Sequence, residues 1–232
     1  INWEMDLMKQ ADIVLCSSEY LKEKVISRSG INREVHIINN AISLPQIRHF
    51  DSFPSKVQDA INLLKSLKCS LLYIGTISQW FDFKLICEAL DKKEDVQLVL
   101  IGPKDCDIPS HKQIHYIGSV ERQYIYSLME QASALVMPFI VNELIRSVNP
   151  VKMYEYIYME KPIIAPHYGE MEKFLPYINL YHDNDEFMSL VDQLSKSELQ
   201  ISSEKGNEMK GFAEKNTWES RYEEVKKILF NV

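Results

Sequence analysis

"CSLLYIGTISQWFDFKLICEALDKKEDVQLVLIG", residues 69–102, decides the fold of this chain. Two runs, at 69–75 and 96–102, are apolar at nearly every position and flank a segment with the periodicity of an amphipathic helix. A strand that is apolar at successive positions is buried on both faces, which is typical of a parallel sheet covered by helices on each side. The stretch is therefore predicted to be a strand–helix–strand unit of an α/β fold.

The same alternation continues along the chain in both directions. Strands are predicted at 11–18, 34–39, 69–75, 96–102, 114–118, 133–139, 161–166 and 178–182. Helices are predicted at 18–28, 55–67, 79–90, 121–131, 149–159, 184–195 and 216–230, and their N-caps at Ser18, Ser55 and Asn149. The predicted fold class is α/β, a doubly wound, Rossmann-like parallel sheet with helices on both faces.

The domain organisation is indicated by one break in this pattern. A polar, proline-containing stretch separates the second predicted strand from the helix at 55–67. We expect a leading piece at 1–40, a linker at 41–54, a main domain at 55–215 and a final helix at 216–232. Because Ile1 lies within a helical pattern, a longer parent chain is expected.

Composition restricts the classes of partner. The 232 residues are 46% hydrophobic and 25% charged, and the net charge is -7. An acidic chain is a poor non-specific ligand for nucleic acid or anionic lipid, so we expect no nucleic-acid partner and at most peripheral membrane association. The four dispersed cysteines indicate reduced thiols in a cytoplasmic protein, and neither a signal peptide nor an apolar run of about 20 residues is present.

One further stretch, "SVNPVKMYEYIYMEKPIIAP" (147–166), carries candidate chemistry. Pro150 suits the first position of a helix and Asn149 can cap it, which leaves free amides and a partial positive charge at the helix start. This start follows the strand at 133–139, and ligands of parallel α/β sheets bind beyond the carboxyl ends of the strands. A phosphate group could therefore dock here.

Lys152 and Glu155 share one face of this helix. A lysine at the amino end opposes the helix dipole by about 0.3–1 kcal/mol, which is better explained if an anion neutralises it. A glutamate one turn deeper could accept hydrogen bonds from a ribose diol. The alternative is an exposed Lys–Glu pair worth roughly 0.2–0.5 kcal/mol.

These residues carry a resemblance to a known family. The stretch 147–166 resembles the donor-binding segment of GT-B glycosyltransferases of the retaining family-4 (group 1) type, roughly N-P-x-K-x-x-E-Y-x-x-x-G-K-P-V-V-A. "LLYIGTISQWFDFKLICEAL" (71–90) is similar to the opening of their C-terminal, donor-binding domain, and "IHYIGSV" (114–120) to its base-contacting loop. Residues 11–25 and 35–42 resemble the end of the acceptor domain and the hinge, and 216–229 the returning helix.

The resemblance implies a set of donor-binding residues. Glu155 would bind the ribose hydroxyls, and Lys152 would lie near the diphosphate. The other implied residues are Asn149 and Pro150 at the helix start, Gly118, Ser119 and Val120 at the base, Glu143 and Arg146 near the sugar or phosphates, and Gly75 and Thr76 on the cleft floor. No catalytic nucleophile is implied.

The sequence also departs from the family pattern. Ser147 stands where many members have a second glutamate, and Thr76 and Asp82 stand where they have an arginine and a lysine. We expect Arg146 and Lys152 to supply the missing positive charge. Glu160 replaces a helix-ending glycine, at a cost of up to about 1 kcal/mol if its backbone must be left-handed.

The function implied is transfer of a sugar from a UDP- or GDP-sugar to a saccharide or lipid-linked acceptor, in polysaccharide biosynthesis at the inner face of a membrane. The acceptor would be held by a missing N-terminal domain, so this fragment alone would be a weak or inactive hexosyltransferase. No cofactor and no metal are expected. Two alternatives stay open: a non-catalytic nucleotide-sugar-binding or partner-interaction domain, and a sugar-nucleotide epimerase.

Rival motifs are weaker. "DCD" (105–107) matches a metal-binding D-x-D pattern, but three residues match easily by chance. Neither a G-x-G-x-x-G nor a G-x-x-x-x-G-K-[ST] motif occurs. Six scattered histidines, His49 and His167 among them, lack a neighbouring nucleophile signature, although His167 could border the cleft. Trp80 and Phe81 are expected to pack rather than to cap the cleft.

Overall fold

The computed structural model of the chain describes residues 2–30, 34–45 and 50–230. Within these ranges the strands are β1 (Val14–Cys16), β2 (Val35–Ile37), β3 (Cys69–Ile74), β4 (Val96–Ile101), β5 (Ile114–Gly118), β6 (Ala134–Val136), β7 (Ile163–Pro166) and β8 (Asn179–Tyr181). The α-helices are α1 (Asn2–Gln10), α2 (Glu19–Ser29), α3 (Ser55–Ser66), α4 (Phe83–Lys92), α5 (Ile125–Gln131), α6 (Glu143–Ser147), α7 (Val151–Tyr158), α8 (Asn184–Ser195), α9 (Ser203–Lys215) and α10 (Trp218–Phe230).

The main sheet confirms the predicted fold class. Six strands pair in the order β5-β4-β3-β6-β7-β8, and every pair is parallel. All six residues of β3 are buried, as its nearly continuous apolar run predicts. The chain builds the sheet outward from β3 in one direction and from β6 in the other. The crevice between the carboxyl ends of β3 and β6 is thus the topological switch point, where such sheets bind ligands.

The leading residues form a second, smaller unit. β1 and β2 make a two-stranded parallel sheet, which packs a small core of Cys16, Val25 and Val35 against α2. The predicted linker follows, and its residues 46–49, which include His49, lie outside the described residues. The division into domains stays a prediction.

The C-terminal helix returns to the segment after β2. Ile42 forms an isolated parallel bridge with Thr217, and the Ile42 amide donates to the carbonyl of Asn216 at 3.0 Å. Arg221 of α10 donates from Nε to the carbonyl of Asn39 at 3.0 Å. These contacts place α10 beside residues 39–42, the segment that leads from β2 towards the main sheet.

The eight predicted strands and seven predicted helices are present, with shifted ends and with a 3-10 turn (Arg122–Tyr124) before α5. α1 lies in the helical pattern noted at the start of the chain, and three helical elements were missed: α6, α9 and a 3-10 segment at Gly169–Phe174. No helix is predicted at residues 140–147, but α6 forms there because Oδ1 of Asn142 accepts from the Ile145 amide at 2.9 Å.

Of the three predicted N-caps, one is confirmed. Oγ of Ser18 accepts from the Leu21 amide at 3.2 Å. Ser55 is wrong, since it is the first helical residue and Pro54 holds the cap position. Asn149 is also wrong: Pro150 holds the cap position of α7, one place later than predicted, and its ring offers no side-chain hydrogen bond.

Glu160 ends α7 in a left-handed conformation, with φ of 55°. This is the strained geometry for which a glycine is usual, at a cost of up to about 1 kcal/mol. The Glu160 side chain packs on α9 at Gly206, where an added Cβ would lie 2.6 Å from Oε2 of Glu160. The glycine therefore allows the close approach of α9 to the end of α7.

Candidate functional site

A cavity of about 400 Å³ lies at the carboxyl ends of β3 and β6 and at the start of α7. It is lined by Tyr73, Thr76, Trp80, Met137, Phe139, Leu144, Ile145, Val148, Pro150, Val151 and Lys152. The wall is mostly apolar, with one cation. Trp80 lines this cavity, contrary to the expectation that it only packs, whereas its neighbour Phe81 is buried.

The Lys152 side chain reaches the cavity by crossing the end of β3. A Cβ added to Gly75 would lie 2.3 Å from Cε of Lys152 and 2.8 Å from Oη of Tyr73. Gly75 also has φ of +156°, and its amide donates to the Ile101 carbonyl at 2.8 Å. Position 75 must therefore be small if Lys152 is to lie where it does.

The charge of Lys152 is not matched by a direct contact. Among residues 2–30, 34–45 and 50–230, no hydrogen bond or ion pair joins its ammonium group to another side chain or to the backbone. Burial lowers the pKa of Lys152, the nearby charge of Glu155 raises it, and that of Arg122 lowers it. A largely buried cation without a partner is unfavourable unless an anion binds it.

Glu155 lies one turn further along α7, and its carboxylate is paired. Oε1 accepts from Nη2 of Arg122 at 2.8 Å. The Glu155 side chain is only 12% exposed, whereas that of Arg122 is 67% exposed. Sequence reasoning missed Arg122, because it lies 33 residues away and no local spacing connects the two.

The loop after β5, Gly118 to Val120, is held by neighbouring elements. Gly118 has φ of +81°, and its carbonyl accepts from the Gly102 amide at 3.1 Å. Nζ of Lys56, in the first turn of α3, donates to the Ser119 carbonyl at 2.8 Å. The backbone of this loop is thus fixed beside Arg122.

Asn149 faces away from the cavity, into a buried polar network. Its Oδ1 accepts from the Asn40 amide at 2.8 Å, and its carbonyl accepts from Nδ2 of Asn40 at 2.6 Å. Its Nδ2 donates to Oε2 of Glu170 at 3.1 Å. The carboxylate of Glu170 is 2% exposed; it also accepts from the Glu19 amide at 2.7 Å and pairs with Lys173 at 2.6 Å.

Glu143 and Arg146, both on α6, lie outside the cavity that Lys152 lines. Glu143 is exposed and accepts from Lys24 at 2.8 Å and from Tyr20 at 3.1 Å, and the Lys24 hydrogen bond lowers the pKa of this carboxyl. Arg146 lines a second cavity of about 380 Å³, together with Glu19, Tyr20, Glu23, Val141, His167, Tyr168, Gly169 and Glu170. The two cations expected at one diphosphate therefore line different cavities.

Other candidate sites are not assembled in the described part of the chain. It contains no group of three or more His, Cys, Asp or Glu side chains arranged to hold a metal ion. All four cysteines are free thiols. Over the same ranges, no helix has both the length and the apolar composition needed to cross a membrane.

The chain is similar in sequence to a known glycosyltransferase and in fold to solved structures. No family model matches the chain. The chain is 24% identical over 237 residues to TuaH of Bacillus subtilis (strain 168), a protein assigned as a teichuronic acid biosynthesis glycosyltransferase. The match covers 97% of this chain, which spans 58% of the length of that relative.

Solved structures share the fold over the whole chain. HepE (Alr3699) of Anabaena, in complex with UDP-glucose, superposes with a TM-score of 0.73 at 12% identity, over 100% of this chain and 67% of that one. The trehalose-6-phosphate structure from E. coli, bound with UDP-2-fluoro glucose, gives a TM-score of 0.74 at 11% identity, over 100% and 63%. The family-4 subtype stays a prediction, whereas the resemblance to GT-B glycosyltransferases is confirmed: this chain has their fold.

Proposed function

We propose that this chain is the donor-binding part of a glycosyltransferase, which binds a nucleoside-diphosphate sugar in the 400 Å³ cavity at the start of α7. The observation that carries the proposal is the ammonium group of Lys152, largely buried, unpaired among the described residues and directed to that cavity. A diphosphate is the anion that best compensates such a cation at a helix start.

The chemistry assigned to the site is stabilisation of a leaving group. When the bond between the sugar's anomeric carbon and the phosphate oxygen breaks, the electron pair stays on the diphosphate. A fixed cation in an apolar-walled cavity stabilises that charge more strongly than water does. Lys152 and the first amides of α7 supply this stabilisation, and no metal is required by the proposal.

The remaining donor contacts follow the same frame. Glu155 would accept the ribose hydroxyls, and the backbone at Gly118 to Val120 would contact the base. The solved relatives named above hold UDP-glucose and UDP-2-fluoro glucose, so a UDP-sugar is the first donor to test and a GDP-sugar the second. Transfer to a saccharide or lipid-linked acceptor, as a hexosyltransferase working with a further N-terminal domain, belongs to the same proposal.

One observation favours the alternative, a non-catalytic nucleotide-sugar-binding domain. Ser147 stands where many family-4 enzymes have a second glutamate, and its Oγ donates to the Leu144 carbonyl at 2.6 Å within its own helix. The site therefore has one carboxylate fewer at this position. Hydrolysis or transfer from a UDP-sugar by the full-length protein would favour the enzyme, and donor binding without turnover would favour the alternative.

The test is nucleotide binding by the protein and by Lys152→Met, measured by calorimetry and by thermal unfolding. UDP at 100 times its Kd should stabilise the wild-type protein by roughly 2.7 kcal/mol. Lys152→Met should lose most of this effect, because methionine is an unbranched side chain of similar length and carries no charge. Lys84→Met is the matched control, since Lys84 is exposed on α4 and should leave binding unchanged.

Two outcomes would contradict the proposal. If neither UDP nor GDP, with or without a sugar, binds the wild-type protein at millimolar concentration, the donor-binding function is wrong. If the wild-type protein and Lys152→Met bind UDP equally, the cavity at Lys152 is not the diphosphate site.

A further inference from the structure

Two opposite charges lie one turn apart on α7 and do not pair with each other. Lys152 and Glu155 have the i, i+3 spacing at which a lysine and a glutamate commonly form an ion pair. Instead, Oε1 of Glu155 is held by Arg122 at 2.8 Å, and the ammonium group of Lys152 has no direct partner among the described residues. The Glu155 carboxylate therefore pairs with a third charge, that of Arg122, and not with Lys152.

The ion pair with Glu155 contributes little to the stability of the protein on the Arg122 side. Its side chain is 67% exposed, and ion pairs at that exposure contribute about 0–1 kcal/mol. The contact contributes more at Glu155, because a carboxylate that is 12% exposed has little access to water and depends on protein groups for its hydrogen bonds. If Arg122 were absent, Lys152 would be a cation available to Glu155, since the two share one face of α7 and the Glu155 charge already raises the pKa of Lys152.

The anchor of Arg122 is fixed. It begins the 3-10 turn that follows the Gly118 to Val120 loop. That loop is fastened by the Gly102 amide at 3.1 Å and by Lys56 at 2.8 Å. The backbone next to Arg122 is therefore held in place by hydrogen bonds, and its guanidinium group reaches α7 from this position.

We propose that Arg122 is a positioning residue that, by holding the Glu155 carboxylate, keeps the Lys152 ammonium group unpaired and available to the phosphates of the ligand. The inference rests on the proposed function for the identity of the ligand, but the separation of charges concerns this chain's own residues. Oε2 of Glu155 has no hydrogen bond in the described structure and remains able to accept one from a ligand.

The experiment uses UDP and inorganic pyrophosphate as probes, with pyrophosphate measured by competition. Arg122→Ala should weaken the binding of both by about tenfold, because Glu155 then turns to Lys152 and neutralises it. Arg122→Lys should restore most of the affinity, since a lysine can still pair with Glu155. Lys68→Ala is the matched control, because Lys68 is an exposed cation paired with Asp95 at 2.9 Å, away from the cavity.

The double variant Arg122→Ala/Glu155→Gln separates positioning from simple structural support. Without the Glu155 charge, Lys152 has no internal competitor, so pyrophosphate affinity should return to within about threefold of the wild-type value. A double variant that binds pyrophosphate as weakly as Arg122→Ala would overturn the proposal, and so would an Arg122→Ala variant with unchanged affinity. If the wild-type protein binds pyrophosphate but no nucleotide, the proposed function fails while these comparisons still decide the role of Arg122.

Discussion

Asn149 and Lys152 stand three positions apart at the start of one helix, and the fold treats them in opposite ways. Asn149 is buried, and its carboxamide and carbonyl are bonded to Asn40 and Glu170. Lys152 is largely buried and has no direct partner in the described structure. Buried polar groups are normally paired. We therefore interpret Asn149 as a structural residue and Lys152 as a residue that binds a ligand.

The contrast predicts that the two sides of the helix start respond differently to mutation. Changes on the Asn149 side should reduce the free energy of unfolding and leave the affinity of the folded protein for UDP unchanged. Changes on the Lys152 side should reduce affinity and leave stability unchanged or higher. Four experiments test this separation.

The largest effect is expected for Glu170→Ala. Its carboxylate is buried and accepts from Nδ2 of the buried Asn149, from the Glu19 amide and from Lys173, so its loss removes a partner from all three and leaves Lys173 with Asn39. The free energy of unfolding, measured by chemical denaturation, should fall by about 3–5 kcal/mol. Glu172→Ala, at an exposed neighbour, should change it by less than about 0.5 kcal/mol. A cost below about 1 kcal/mol for Glu170→Ala would show that the network is not structural.

Gly75→Ala should affect both sides of the comparison. The new Cβ clashes with Lys152 and with Oη of Tyr73, and the backbone has φ of +156°. The free energy of unfolding should therefore fall by about 1–3 kcal/mol. UDP affinity should also fall, because Lys152 must move. Gly211→Ala is the control: no atom lies within 4 Å of the added Cβ, so the substitution should stabilise α9 by roughly 0.5–1 kcal/mol. Unchanged UDP affinity in Gly75→Ala would separate Lys152 from the ligand site.

Lys152→Met should increase stability while it removes binding. A largely buried charge without a partner is replaced by an apolar side chain of similar length, and we expect a gain of about 1 kcal/mol in the unfolding free energy of the unliganded protein. Thermal and chemical unfolding without nucleotide measure it. A loss of 2 kcal/mol or more would mean that Lys152 contributes to the folded structure, and the contrast with Asn149 would fail.

The pH dependence should be the smallest effect. Burial holds the pKa of Lys152 below that of an ordinary lysine, so its proton is lost at a lower pH in the folded protein than in the unfolded one. The unfolding free energy of the unliganded protein should therefore rise with pH between those two values. Nucleotide binding favours the protonated form and should weaken as pH rises through the lower value. Lys152→Met should show neither change, and an identical pH profile in that variant would assign the titration to another group.

The fold could be predicted from the sequence because strands buried on both faces of a parallel sheet are apolar at most successive positions. β3, β4 and β5 lie where those runs stand. α9 was missed since Gly206 and Gly211 interrupt its helical pattern, and the physical reason for Gly206, the approach of Glu160, is a contact between distant residues. α6 was missed because five residues carry too little periodicity to recognise.

The site could be predicted only in part, and the limit lies in contacts across the chain. Lys152 could be singled out from its position at a helix start. The role of Asn149 as a cap was wrong because Asn40, 109 residues earlier, occupies its side chain. Arg122 gave no signal at all, since only the folded structure brings it to Glu155. The other predicted donor contacts stay predictions.

The bridge between Ile42 and Thr217 has a consequence for how such a chain can be rebuilt. The segment between Ile42 and Thr217 contains the main sheet. Because these two residues are bridged, the segment begins and ends at adjacent points of the structure. A segment whose ends are adjacent can be inserted into another protein as a domain. It can also be circularly permuted, since a short linker is enough to join the two ends.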